Sequence, residues 1–257
     1  MAELAVQVRI LGIGMGPQHV THEVADALRS VDYVLAPDKG GKTSEQASAD
    51  GLLALRRAVV DAYAGSIPIV TVSDPPRDRS PELTGPGYAR AVADWHAARA
   101  ARYAEVLRQR GGTAAFLVWG DPALYDSTIR IVQQVKAFGV ELDYDVLPGI
   151  SAPQLLAARH RIVLHEVGRP VHITTGRRLG EAVAAGQDNI VTMLNPAGLD
   201  LTGVADWTIW WGANLGAAGE RLVTGRVSDV AEEVAAARCA AKAEAGWVMD
   251  VFLVRRP

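Results

Sequence analysis

The chain has 257 residues, 49% of them hydrophobic and 21% charged, with 26 Lys and Arg against 29 Asp and Glu and a formal net charge of −3. That balance excludes a disordered chain and argues against bulk nucleic-acid binding, which calls for a basic surface. A single cysteine, Cys239, excludes a disulfide framework and a cysteine-built zinc site, and no apolar run nears the roughly 20 residues of a membrane-spanning helix. Met1-Ala2-Glu3 lacks the basic start of an export signal, so a cytoplasmic protein without membrane contact is expected.

Residues 6–11 form a β-branched, aliphatic run that ends in Gly12-Ile13-Gly14-Met15-Gly16-Pro17, the pattern of a buried strand entering a tight loop. Val24, Ala27 and Leu28 give helical spacing over 21–30, and a short apolar run over 33–36 closes at Pro37. Strand, loop, helix, strand in that order implies a parallel sheet with right-handed crossovers. A second helix is expected over 51–63 and a strand over 67–72. Residues 73–87 carry four prolines (Pro75, Pro76, Pro81 and Pro86) and read as an irregular loop. The clearest long helix spans 88–110, with Val92, Trp95, Arg99, Tyr103 and Val106 on one stripe, and stops at Gly111-Gly112. A strand over 113–119 runs into Gly120-Asp121-Pro122. A helix over 127–137 and a strand over 141–147 follow, and the strand ends in Pro148-Gly149-Ile150-Ser151-Ala152-Pro153.

The composition shifts over 164–170, which reads as a linker, so the predicted domains are 1–166 and 167–257. The second half alternates short strands (171–174, 189–194, 207–211, 222–227 and 247–254) with one long Ala/Glu helix over 228–245. The fold class expected is therefore α/β in two domains, with a mostly parallel sheet in the first and a mixed sheet in the second.

Three strand ends of the first half share small-residue turns, and in an open parallel sheet ligands bind at the carboxyl ends of strands. Taken singly, each turn is ordinary. The first reads G-x-G-x-G-P where a dinucleotide fingerprint needs G-x-G-x-x-G, so a nicotinamide cofactor is not expected even though Asp32 lies near a ribose-binding position. Asp121 suits the capping of a turn. Trp207, Trp210 and Trp211 suit either a core or an aromatic shelf. The six histidines are scattered without carboxylate partners at ligand spacing, so no metal site is expected.

In combination, the order and spacing of the three loops resemble the tetrapyrrole methylase family over essentially the whole chain. Weaker matches continue at Ile190-Val191-Thr192-Met193 and Gly212-Ala213-Asn214-Leu215-Gly216. The stretches Asp38-Lys39-Gly40, Leu53 to Arg57, Asp74-Pro75-Pro76-Arg77-Asp78-Arg79, and Tyr88 with Trp95-His96 and Arg99 resemble the subgroup that removes an acetyl group during methylation. The first loop departs from many relatives, with Gly16-Pro17-Gln18 in place of Gly-Asp-Pro or Gly-Pro-Gly.

The resemblance implies a C-methyltransferase that takes precorrin-5 to precorrin-6A, methylating ring carbon 1 and releasing acetate. It implies S-adenosyl-L-methionine as cofactor, leaving as S-adenosyl-L-homocysteine, bound at the domain junction. A small-molecule tetrapyrrole would lie in a trough of the first domain, and a homodimer is expected. By the same resemblance Gly120, Asp121, Leu124, Ser151, Ala152, Met193 and Ala213 would hold the cofactor. Pro17, Lys39, Arg77 and Arg79 would meet the substrate, the cations pairing with its carboxylates. Asp38, Tyr125 and His96 are candidates for the group that activates water. The alternatives are a sister methylase acting on another precorrin, against which the 74–79 and Trp95-His96 stretches argue, and a non-catalytic tetrapyrrole-binding protein.

Overall fold

The computed structural model of the chain describes residues 6–38, 44–76, 78, 85–196, 198 and 200–257, with the backbone alone over 44–50. The chain divides into two compact units, Met1–Ile150 and Ser151–Pro257. This division precedes the 166/167 boundary that composition suggests, because the helix after residue 150 packs on strands of the second unit.

In the first unit the order is β1 (Val6–Gly12), α1 (His22–Arg29), β2 (Tyr33–Asp38), α2 (Ser44–Tyr63), β3 (Ile69–Ser73), α3 (Gly85–Arg110), β4 (Thr113–Val118), α4 (Thr128–Val135) and β5 (Leu142–Leu147). The strands form one parallel sheet in the order β3-β2-β4-β1-β5. Parallel neighbours need long crossovers, and these place helices on both faces. Val8, Ile10, Leu35 and Phe116 pack with Tyr103 and Leu107 of α3 and Ile131 of α4. The alternate residues Leu11, Val34, Ala115 and Leu117 pack with Leu28 of α1 and Val59 of α2. β2 and β4 are buried on both faces and read as nearly unbroken apolar runs, whereas β5, at the sheet edge, carries Asp143 and Asp145.

Two helices begin earlier than periodicity predicts. Residues 44–50 lack an apolar stripe, but Glu, Gln and Ala there favour helix by propensity. At the start of α3, Pro86 sits in the first turn, where its missing N–H has no helical partner to lose.

The second unit contains α5 (Ala152–His160), β6 (His172–Thr175), α6 (Leu179–Ala184), β7 (Asn189–Met193), β8 (Thr208–Ala213), β9 (Arg221–Arg226), α7 (Val227–Ala245) and β10 (Asp250–Arg255). Its sheet runs β6-β7-β10-β8-β9, with β6 and β7 parallel and the other pairs antiparallel. The α/β class, parallel first and mixed second, is the one the sequence predicts. Trp207 and Trp211 are buried in the core with Ile190, Phe252 and Val234. Trp210, by contrast, carries the Arg255 guanidinium 5.4 Å from its ring centroid. The last strand begins at Asp250, not at residue 247. The buried Asn214 side chain replaces a strand partner there, donating to the Trp247 carbonyl (3.2 Å) and accepting from the Met249 N–H (2.9 Å).

Candidate active site

In the first unit the loops after β1, β4 and β5 meet at one end of the sheet. Their approach is set by glycine. A Cβ on Gly12 would stand 2.5 Å from the Gly149 nitrogen, and one on Gly149 would stand 2.3 Å from the Gly120 oxygen. No side chain fits at either position. Gly14 and Gly120 exchange backbone hydrogen bonds, at 2.8 and 3.3 Å. Asp121 completes the junction: Oδ1 accepts from the Ala123 N–H (2.8 Å) and Oδ2 from the Gly149 N–H (3.0 Å). The carboxylate therefore caps its own turn, as its position before Pro122 suggests, and also ties the β4 loop to the β5 loop. Leu124 donates its N–H to the Asp121 carbonyl, and Tyr125 takes a left-handed backbone (φ 53) with its side chain exposed. The Pro17 carbonyl accepts from the Tyr63 hydroxyl at 2.7 Å, holding the first loop to α2.

In the second unit, Ser151 begins α5. Gln154 Oε1 accepts from both the Ser151 N–H (2.8 Å) and its hydroxyl (2.9 Å), so the entry to Ala152 is fixed. Met193 ends β7 and Ala213 ends β8. Both strands run antiparallel to β10, which lies between them, so both residues fall at the same end of that sheet. Beside Ala213 in register is Asp250. It is buried, accepts from Trp211 Nε1 at 3.0 Å and pairs with Arg238 at 3.2 Å. Burial pushes its carboxyl above the usual range, while Arg238 and the donor hydrogen bonds pull it down.

The first unit also holds a cavity of about 260 Å³ at the carboxyl ends of β2 and β4, lined by Pro37, Arg56, Trp95, Arg99, Tyr103 and Asp126 among others. Trp95, Arg99 and Tyr103 come from the one stripe of α3 that periodicity marks. The Arg99 guanidinium forms a two-pronged pair with Asp74, the two side chains 12% and 7% exposed, and lies 4.2 Å from the Trp95 ring centroid. Trp95 Nε1 donates to the Pro75 carbonyl at 3.1 Å. The Arg56 Nε donates to the Leu117 carbonyl at 2.8 Å. Burial lowers the Arg56 pKa, with the charges of Tyr103 and Asp126 opposing the shift and that of Arg99 adding to it. Tyr103 is raised, again chiefly by burial.

The three candidates for activating water border this cavity in sequence without lining it. Asp38 ends β2 next to Pro37, His96 follows Trp95 with ring centroids 5.3 Å apart, and Tyr125 precedes Asp126. Lys39, Arg77 and Arg79 lie outside the described residues. Arg56 falls within the Leu53–Arg57 stretch of the resemblance but receives no role there, and nothing in the sequence marks Asp126; of the adjacent Arg56 and Arg57, only Arg57 is exposed. Among the described residues no group of three or more His, Cys, Asp or Glu could hold a metal ion, and no helix is long and apolar enough to cross a membrane.

This arrangement of two sheets and glycine-joined loops is that of a known class. Residues 7–231 match the family model of tetrapyrrole (corrin/porphyrin) methylases, and the chain belongs to that family. It is 42% identical over 263 residues to a deacetylating precorrin-6A synthase from Sinorhizobium sp, covering 100% of this chain and 98% of that protein. Among solved structures it is similar to the cobalamin synthesis related protein CobF of Corynebacterium diphtheriae (TM-score 0.80, 37% identity, 98% of this chain and 99% of that one). The uroporphyrin-III C-methyl transferase of Thermus thermophilus, solved with S-adenosyl homocysteine, shares the fold (TM-score 0.60, 16% identity, 97% and 92% covered).

Proposed function

We propose that the chain converts precorrin-5 to precorrin-6A, transferring a methyl group to ring carbon 1 and releasing the extruded acetyl group as acetate. The observation that carries this reading is the 42% identity, end to end, to a deacetylating precorrin-6A synthase. S-adenosylmethionine, when bound, supplies the methyl group as an electrophilic carbon whose leaving group is a neutral thioether. Gly120, Asp121 and Leu124 in the first unit, and Ser151, Ala152, Met193 and Ala213 in the second, are the residues assigned to hold it. The fit is supported by the small side chains at these strand ends. Gly120 and the buried Ala213 leave the backbone approachable, and Asp121 fixes the turn that presents Leu124.

What the chain contributes to methyl transfer is alignment, which can lower a barrier by about 7–11 kcal/mol. Deacetylation asks for more: a base for water and donors for the developing oxyanion. Asp38, Tyr125 and His96 stand as candidates for the first role, and Pro17, Lys39, Arg77 and Arg79 for contact with the substrate. We assign the enzyme to the cytoplasm as a homodimer, so light scattering should give twice the 27.3 kDa chain mass.

The test is an incubation of the purified chain with precorrin-5 and S-adenosylmethionine. Acetate and S-adenosylhomocysteine should appear in equal amounts. Methylation without acetate would place the chain with a sister methylase, and calorimetry showing no S-adenosylhomocysteine binding would make it a non-catalytic binder.

A further inference from the structure

Among the described residues, the α2–α3 cavity of the first unit holds a guanidinium that forms no ion pair. Arg99 is matched by Asp74. Arg56, enclosed between α2 and β4, has only the Leu117 carbonyl as a hydrogen-bond partner among the described residues, and it takes part in no ion pair there. Arg56 is half-buried, and a guanidinium drawn partly out of water is normally paired, because an unpaired one loses hydration without replacement. Its remaining N–H groups are therefore donors held ready in a poorly solvated space, where they act more strongly than in water. Asp126 lines the same cavity, close enough for its charge to bear on Arg56. Its Oδ1 accepts from the Thr128 N–H at 2.7 Å, which fixes the carboxylate, and Oδ2 has no protein partner among the described residues. The volume, about 260 Å³, is below the roughly 300–1,000 Å³ of sites that enclose a whole drug-sized ligand, so it suits one substituent of a macrocycle and a water.

The geometry points to this cavity as the place where the acetyl group is hydrolysed, with Asp126, in place of Asp38, Tyr125 and His96, none of which lines it, as the base for water and Arg56 as the donor to the oxyanion. This rests on the deacetylating function proposed above. Water loses a proton to Asp126 as its oxygen bonds to the acetyl carbonyl carbon, and the carbonyl oxygen, now anionic, is held by the Arg56 N–H groups. Collapse restores the C=O and breaks the bond to ring carbon 1, whose electron pair stays on the macrocycle. The acetic acid that leaves ionises to acetate, and Asp126 returns its proton to solvent. No oxidant, reductant or metal is required by this balance.

Two measurements on the full chain test it. In the first, carbon-13 acetate is titrated and followed by NMR line width. Acetate should bind the parent protein saturably, Arg56→Ala should weaken it tenfold or more, and Asp126→Asn should leave it equal or tighter because a like charge is gone. Arg56→Lys, which keeps the charge but not the planar fork, should fall between and serves if the alanine variant does not fold. No saturable binding, or equal binding by parent and Arg56 variants, overturns the site. In the second, acetate release from precorrin-5 should fall by about 10²-fold or more in Asp126→Asn, with S-adenosylhomocysteine affinity unchanged. Release at the parent rate overturns the catalytic assignment. Acetate binding through Arg56 in a parent protein that methylates without releasing acetate would instead overturn the proposed function, and the hydrolytic step with it.

Discussion

At the scale of single residues, Asp250 shows how burial turns into a dependence on pH. Its folded-state pKa is raised, chiefly by desolvation, so the folded chain holds this proton more tightly than the unfolded chain does. The stabilising contribution is complete below the ordinary carboxyl pKa of about 3.9 and is lost as pH rises through the raised value. Asp250→Asn cannot titrate. In urea unfolding monitored from acid to neutral pH, the stability of the parent relative to this variant should therefore fall as pH rises through that window. A flat difference would show that Arg238 and Trp211 fully offset the burial. The same scale marks the limit of the sequence reading. The glycines and Asp121 are legible because a turn demands their residue types. Arg56 and Asp126 lie far apart along the chain, and no spacing in the sequence links them. Only folding brings both to the wall of one cavity.

α3 does more than cover the sheet: Arg99, Arg102 and Trp95 reach back to Asp74, Ser73 and Pro75, so one helix holds the exit of β3. The Arg99–Asp74 pair is largely buried, and truncating one member leaves the other without a partner. Arg99→Ala should cost about 3–5 kcal/mol in denaturant unfolding, and Arg99→Lys should recover only part of it because the fork is lost. A cost below about 1 kcal/mol would mean that Asp74 finds water instead. The central strands β2 and β4 were legible because both of their faces are apolar. The early turns of α2 and α3 were not, because they form by propensity and position without a buried stripe. Short α6 is one and a half turns long, too little for periodicity to register.

For the molecule as a whole, the change in composition suggests a boundary at 166/167, while the compact units divide after Ile150, before α5, whose apolar residues Leu155 and Leu156 are buried. The order of strands within each sheet was not written in any local pattern, since it depends on which crossovers pack. One consequence of that order concerns synthesis. The first unit has all five of its strands once residue 150 has been made. The second cannot join β7 to β8 until β10, the final strand in the chain, arrives to lie between them. On the ribosome, the first unit can therefore fold while the second waits with two half-sheets and open strand edges, the kind of surface on which chaperones act. A chain stopped after residue 249 should retain a protease-resistant fragment close to the first unit and lose the second. Limited proteolysis with mass spectrometry reads this directly, and survival of 151–249 intact would refute it. The late arrival of six residues thus sets the moment at which the second unit can close its open edges.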